Sequence, residues 1–146
     1  MAGVVIRGSA LRRPVAPPVP ERLRWAVVRI GPDPAVRREH AGERRALVVS
    51  SEPLHRARLA TILPITAARS DPRYPGEVAL AAGEAGQARP GVILCHQVRT
   101  IPLDRLAGRA PDGFVTSAAT RAAVREALAH HLGLDIPPVA DGARPG

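Results

Sequence analysis

The sequence predicts an α+β fold that is mainly β, a small barrel-like sheet of about five to six short strands with a C-terminal helix and short connecting helices. Three observations predict it. Compact β-prone runs bounded by Gly and Pro recur through the middle of the chain, and one apolar stripe of helical period stands near its C-terminus. The length, 146 residues, suits one domain around one core. No internal repeat, phosphate-binding loop, Cys/His metal cluster or Gly-x-Ser-x-Gly elbow occurs.

Met1 to about Glu21 carries Arg12-Arg13-Pro14 and Pro17-Pro18-Val19-Pro20 and lacks helix or strand periodicity, so residues 1–22 are expected to be a flexible Arg/Pro-rich arm. Its apolar opening, Val4 to Ile6, is interrupted by Arg7, Arg12 and Arg13 before a signal-type stretch develops. No run of about 18 apolar residues follows, so a soluble, cytoplasmic protein without a membrane partner is expected.

Residues 23–134 are expected to form the domain. Arg24 to Ile30 is a first strand, stopped by Gly31-Pro32-Asp33-Pro34. A charged loop, Ala35 to Glu43, leads to Arg45-Ala-Leu-Val-Val-Ser50, whose unbroken apolar centre indicates a central strand buried on both faces. Ser51 is placed to cap a short helix running to about Leu59, with Pro53 in its first turn, where a missing N–H costs nothing. Thr61 to Thr66 reads as a third strand in which Pro64 requires an edge or a bulge. Tyr74 to Leu80 and Gly91 to Thr100 supply further strands around the Gly/Ala-rich loop Ala81 to Pro90, and Pro102 to Leu106 supplies a helical turn. Ser117 then caps a helix in which Val124, Leu128 and Leu132 recur with Ala123, Ala127 and the aliphatic edge of His131, and Gly133 ends it. Residues 135–146 hold too little apolar surface to offset ordering entropy and are expected to be a disordered tail.

The formal net charge of +8 points to a polyanionic partner. All 21 basic side chains are Arg, and Ala, Gly and Pro are abundant, so coding bias could produce much of the total. Position says more: residues 1–45 hold ten Arg against Glu21, Asp33, Glu39 and Glu43. With only Trp25, Tyr74 and Phe114 as aromatics, a passive RNA coat built on stacking platforms is disfavoured. Cys95, beside the apolar run Val92 to Leu94, is expected to be a buried thiol of a reducing compartment rather than a nucleophile. His55, His96, His130 and His131 lack ligand-like spacing, so no metal site is expected.

Several blocks in order resemble the MazF/PemK family of type II toxins. Val36-Arg-Arg-Glu39-His40-Ala-Gly42-Glu-Arg44-Arg45-Ala-Leu-Val-Val-Ser50 is similar to the family's V-G-x-E-Q-x-G-x-R-P-A-L-V-V-S loop and strand. Leu54 to Thr66 is similar to its helix and threonine-ending strand, and Tyr74-Pro75-x-Glu77-Val78 to a further strand. Cys95-His-Gln97-Val-Arg99-Thr100-Ile101 resembles D/E-Q-I-R-T-I, and Val124 to Leu134 its closing helix. The resemblance covers about three quarters of the chain.

It implies an SH3-like or CcdB-like barrel and an endoribonuclease that cleaves single-stranded RNA selectively by sequence. The ribose 2′-OH attacks the adjacent phosphate, leaving a 2′,3′-cyclic phosphate and a 5′-OH, with no metal and no cofactor. It also implies a homodimer held inactive by a cognate antitoxin. Arg44 stands at the family's catalytic arginine position, where a planar fork bridges phosphate oxygens, and Thr66 at its catalytic threonine or serine position. Glu39 aligns with the motif glutamate, as proton acceptor or as a group orienting Arg44. His40 replaces a Gln and brings general acid/base capacity. Arg37 and Arg38 replace small residues and add phosphate affinity. Arg45, also expected to bind RNA, replaces the family proline, which leaves open whether Arg44 or Arg45 faces the site. Gln97 and Arg99 are expected to support the sheet or a dimer contact. Two other readings stand beside this one: a CcdB-like toxin that inhibits DNA gyrase without catalysis, and a basic RNA-binding protein.

Overall fold

A computed structural model describes residues 19–31, 44–106 and 110–134. The expected loop with Arg37, Arg38, Glu39 and His40, the expected C-terminal tail and most of the expected N-terminal arm lie outside the described residues. Among the described residues, the elements run β1 (Ala26–Ile30), β2 (Arg44–Val48), α1 (Glu52–Arg56), β3 (Leu59–Thr66), β4 (Glu77–Leu80), β5 (Gly91–Leu94), β6 (Arg99–Pro102), β7 (Gly113–Phe114) and α2 (Ala118–Leu132). The strands join in the antiparallel order β4-β5-β3-β2-β1-β7, with β6 also paired to β3. The result is the mainly β, α+β architecture that the alternation of short strands and turns predicts.

Period-two alternation divides β1, β2 and β3 between two apolar layers, one on each face of the sheet. Val27, Leu47 and Leu63 join Ile93, Cys95, Val115 and the α2 residues Val124 and Ala127 in the first core. Ala26, Val28, Ala46, Val48 and Ile62 join Ile101, Leu103 and Leu106 in the second. β2 is therefore central and buried on both sides, as its unbroken apolar run indicates. The helix α2 begins at Ser117, whose hydroxyl accepts from the Thr120 N–H, and ends at Gly133 in the left-handed region. Its apolar stripe is shorter than expected: Leu132 is 56% exposed and His131 also lies outside the core.

Several boundaries differ from the sequence reading for identifiable reasons. Arg24 and Trp25 form a turn before β1 rather than its first residues, because Trp25 has φ 69°. Ser51 stands at the N-cap of α1, but its side chain makes no capping bond there. The expected strand Gly91 to Thr100 is two strands separated by a 3-10 turn, Cys95–Gln97. The pair Gly113–Phe114 on β1 is too short to carry a periodic signal. Pro64 lies in an interior strand but at a local gap in its pairing. It pairs with Ala46 of β2, and on its other side it falls where β3 exchanges β6 (to Ile62) for β5 (from Ile65), so a missing N–H breaks no ladder there.

A buried network fastens α1 to the sheet. The Ser50 hydroxyl bonds His55 Nε2 at 2.7 Å, His55 Nδ1 bonds Glu52 at 2.8 Å, and Glu52 Oε1 accepts from the N–H groups of Leu23 and Arg24. Ser50 Oγ also accepts from the Thr61 N–H. Burial pushes the Glu52 carboxyl up, but the His55 bond and the two N–H donors outweigh it and hold it below the usual carboxylate range.

Candidate active site

The two strands that carry Arg44 and Thr66 are neighbours. The β2–β3 ladder pairs Val48 with Ile62, Leu47 with Leu63 and Ala46 with Pro64. Two residues further along that register stand Arg44, the first residue of β2, and Thr66, the last of β3. Because side chains alternate, Arg44 shares the face of Ala46 and Val48, and Thr66 shares that of Ile62 and Pro64, so both stand on the face of the second core. The ladder itself ends at Ala46 and Pro64, beyond which Arg44 pairs with Ile30 of β1 and Thr66 with Val92 of β5, so the two residues, more than twenty positions apart in the chain, lie just past one end of it.

Arg45 points the other way. Its guanidinium donates to Gln87 Oε1, and Gln87, only 2% exposed, donates in turn to Ala85 O and Asp112 Oδ2. Asp112 also accepts from Arg29 Nε at 3.3 Å, which completes a network on the first-core face. Arg44 is exposed and has no hydrogen-bond or ion-pair partner among the described residues. Among the described residues, Arg45 is committed to the fold and Arg44 has no such partner.

Thr66 is half-buried, and its Oγ1 accepts from the Ala68 N–H at 3.2 Å. Accepting that bond orients the hydroxyl and leaves its own proton to be donated. The loop after it is held by the buried carboxylate of Glu77, which pairs with the Arg69 guanidinium and accepts from the Arg73 N–H at 3.0 Å. The bond from Arg69 lowers the Glu77 carboxyl below its ordinary value, against the opposing effect of burial. From the other side β5 pairs Val92 with Thr66. A Cβ at Gly91 would lie 2.7 Å from the Thr66 carbonyl oxygen, so this close approach requires glycine.

A cleft of about 260 Å³ opens at this end of the sheet, lined by Ile30, Arg44, Arg45, Pro64, Gln97, Val98 and Arg99. The sequence assigned Gln97 and Arg99 to support of the sheet or a dimer. Arg99 does so as the first residue of β6, paired with Ile62, and both also stand on the wall of the cleft with Arg44, which no periodic pattern could have shown. Cys95, fully buried, has its thiol pushed up to about 12 by burial, which leaves it protonated and unreactive at neutral pH. Among the described residues no group of three or more His, Cys, Asp and Glu could share a metal ion, and no helix is long and apolar enough to cross a membrane.

The chain is similar to known toxins in sequence pattern and in fold. The family model for PemK-like, MazF-like toxins of type II toxin–antitoxin systems matches residues 23–132. An endoribonuclease solved in complex with its cognate antitoxin from a mycobacterial species is 26% identical, with a TM-score of 0.62 over 80% of this chain and 99% of that one. MazF in a MazE–MazF complex from Deinococcus radiodurans is 26% identical with a TM-score of 0.63, covering 80% and 98%. MazF from the same organism is 29% identical with a TM-score of 0.59, covering 80% and 99%. No curated protein sequence matches the chain.

Proposed function

Because the chain belongs to the PemK-like, MazF-like toxins of type II toxin–antitoxin systems, we propose that it is a metal-independent, sequence-selective endoribonuclease whose catalytic pair is Arg44 and Thr66. One observation carries the proposal: Arg44, which lines the cleft, and Thr66 both lie just past the same end of the β2–β3 ladder.

The chemistry asks for in-line geometry and for charge at a crowded phosphate. The 2′ oxygen forms a bond to phosphorus as the bond from phosphorus to the 5′ oxygen breaks, giving a 2′,3′-cyclic phosphate and a 5′-OH. Arg44 offers a permanently charged fork to the phosphate oxygens. Thr66 donates its hydroxyl proton in a hydrogen bond to the same group. The proton of the 2′-OH passes to Glu39, and His40 in its protonated form supplies one to the departing 5′ oxygen. Arg37 and Arg38 hold flanking phosphates, while Arg45 acts by keeping β2 in place as well as by lining the cleft.

The relatives bound to antitoxins support a cognate antitoxin as partner, with an acidic segment laid along the basic groove. A homodimer acting in the cytoplasm completes the reading, with residues 23–134 as the toxin domain, 1–22 as an arm and 135–146 as a tail. Purified protein incubated with defined single-stranded RNA in EDTA is expected to cut it, leave 5′-OH ends and lose that activity in Arg44→Ala. Intact RNA together with stalled DNA gyrase would overturn the proposal.

A further inference from the structure

Trp25, the protein's only tryptophan, lies 6% exposed at the turn into β1, with its backbone N–H donated to the Val48 carbonyl at 2.7 Å. Three guanidinium groups converge on this one indole. The carbons of Arg24, Arg121 and Arg125 lie 5.8, 5.3 and 5.2 Å from the ring centroid, so all three fall within one sphere smaller than 6 Å in radius. Arg121 donates to the Val115 carbonyl at 2.7 Å, which fixes its position. Arg24 and Arg125 are exposed, and among the described residues no carboxylate pairs with any of the three.

Such an arrangement concentrates three positive charges with no anion among the described residues to balance them. Arg121 and Arg125 stand four residues apart on α2, where like charges repel, and Arg24 adds a third charge to the same spot. The indole face attracts each cation but neutralises none. Nor does the cluster belong to the cleft of Arg44. Trp25 is packed in the first core beside the last residues of β2, whereas Arg44 begins β2 on the opposite face. At about 3.3 Å per residue the two places are on the order of 13–16 Å apart along that strand.

We infer that Arg24, Arg121 and Arg125 form a second phosphate-binding site, over Trp25, for the backbone of single-stranded RNA flanking the cleaved bond. The inference rests on the proposed RNA substrate. Guanidinium forks suit phosphate oxygens, and the buried indole leaves no stacking platform, so the site holds backbone without reading bases. Distance from the cleft makes it matter for long strands and not for short ones.

The test uses a 2′-O-methyl oligoribonucleotide, which the protein binds without cleaving, so its outcome does not depend on catalysis. Titrating a strand of about 20 nucleotides is expected to change Trp25 emission, whereas one of about five leaves it unaltered. In the Arg24→Gln/Arg125→Gln variant the long strand should bind about tenfold more weakly, with a salt slope smaller by about 1.4, the share of two phosphates on a single strand. The Arg24→Lys/Arg125→Lys variant, which keeps the charge and reports on folding, should recover most of the affinity. Equal weakening for both strand lengths, or an unchanged slope, would overturn the inference. So would an emission change produced by polyglutamate and not by RNA, which would assign the cluster to an acidic protein partner.

Discussion

Replacing Arg44 and Arg45 one at a time by Ala should damage the protein in two different ways. Arg44 is exposed and unpartnered among the described residues, so its removal is expected to change stability by no more than about 0.5 kcal/mol. If it supplies charge to the scissile phosphate, turnover should fall by about 10²–10³, or roughly 2.7–4 kcal/mol of transition-state stabilisation. Arg45→Ala instead strips the charged donor from Gln87, a side chain with almost no access to water. The cost of that loss is about 1–3 kcal/mol, which should lower Tm by roughly 4 °C or more, while turnover falls far less than in Arg44→Ala. Initial rates on a short fluorogenic RNA in EDTA, paired with thermal melting, measure both quantities for each variant. The reverse pattern, an early-melting but active Arg44→Ala and a stable but inactive Arg45→Ala, would refute the division of labour derived from strand alternation.

Three further outcomes follow from the same geometry. Gly91→Ala forces a methyl group against the Thr66 carbonyl; it should cost about 1–3 kcal/mol of stability by urea titration and lower kcat at a temperature where the variant is fully folded, and an unaltered kcat would show that Thr66 needs no such support. The Glu77 carboxyl is harder to protonate folded than unfolded, so the stability it adds is complete above the ordinary Glu pKa of about 4.3 and is lost as pH falls below it. Urea midpoints between pH 7 and 3 should therefore drop less steeply in Glu77→Gln, with the remaining slope owed in part to Glu52; a steeper drop in the variant contradicts the pairing with Arg69. Cys95 should resist iodoacetamide in the native protein at pH 8 and react once guanidinium unfolds it, and rapid native labelling would mean that the thiol is not where burial puts it.

The sheet was legible wherever pattern and environment agree. The apolar run of β2, the Ser117 and Gly133 caps of α2 and the burial of Cys95 all follow from composition at a fixed period. The sequence was silent where long-range contact decides the outcome. Nothing local distinguishes Gln87 from a solvated loop residue, yet Arg45 and Asp112 make it a buried junction. The 3-10 turn that divides β5 from β6 and carries Gln97 to the cleft likewise joins the two strands that β3 pairs with in succession on either side of Pro64. Arg44 and Thr66 could be named from the motif. Their placement past the same end of the β2–β3 ladder is a property of register, which single-sequence periodicity does not contain.

A double-mutant cycle on kcat puts the convergence of these two side chains to the test. Arg44→Ala, Thr66→Ala and the double variant are compared on one RNA at saturating concentration. Two groups that grip the same phosphodiester should show a coupling of at least about 0.5 kcal/mol, the double variant losing less than the two single losses combined. Losses that combine without any coupling would mean that the guanidinium and the hydroxyl serve different places.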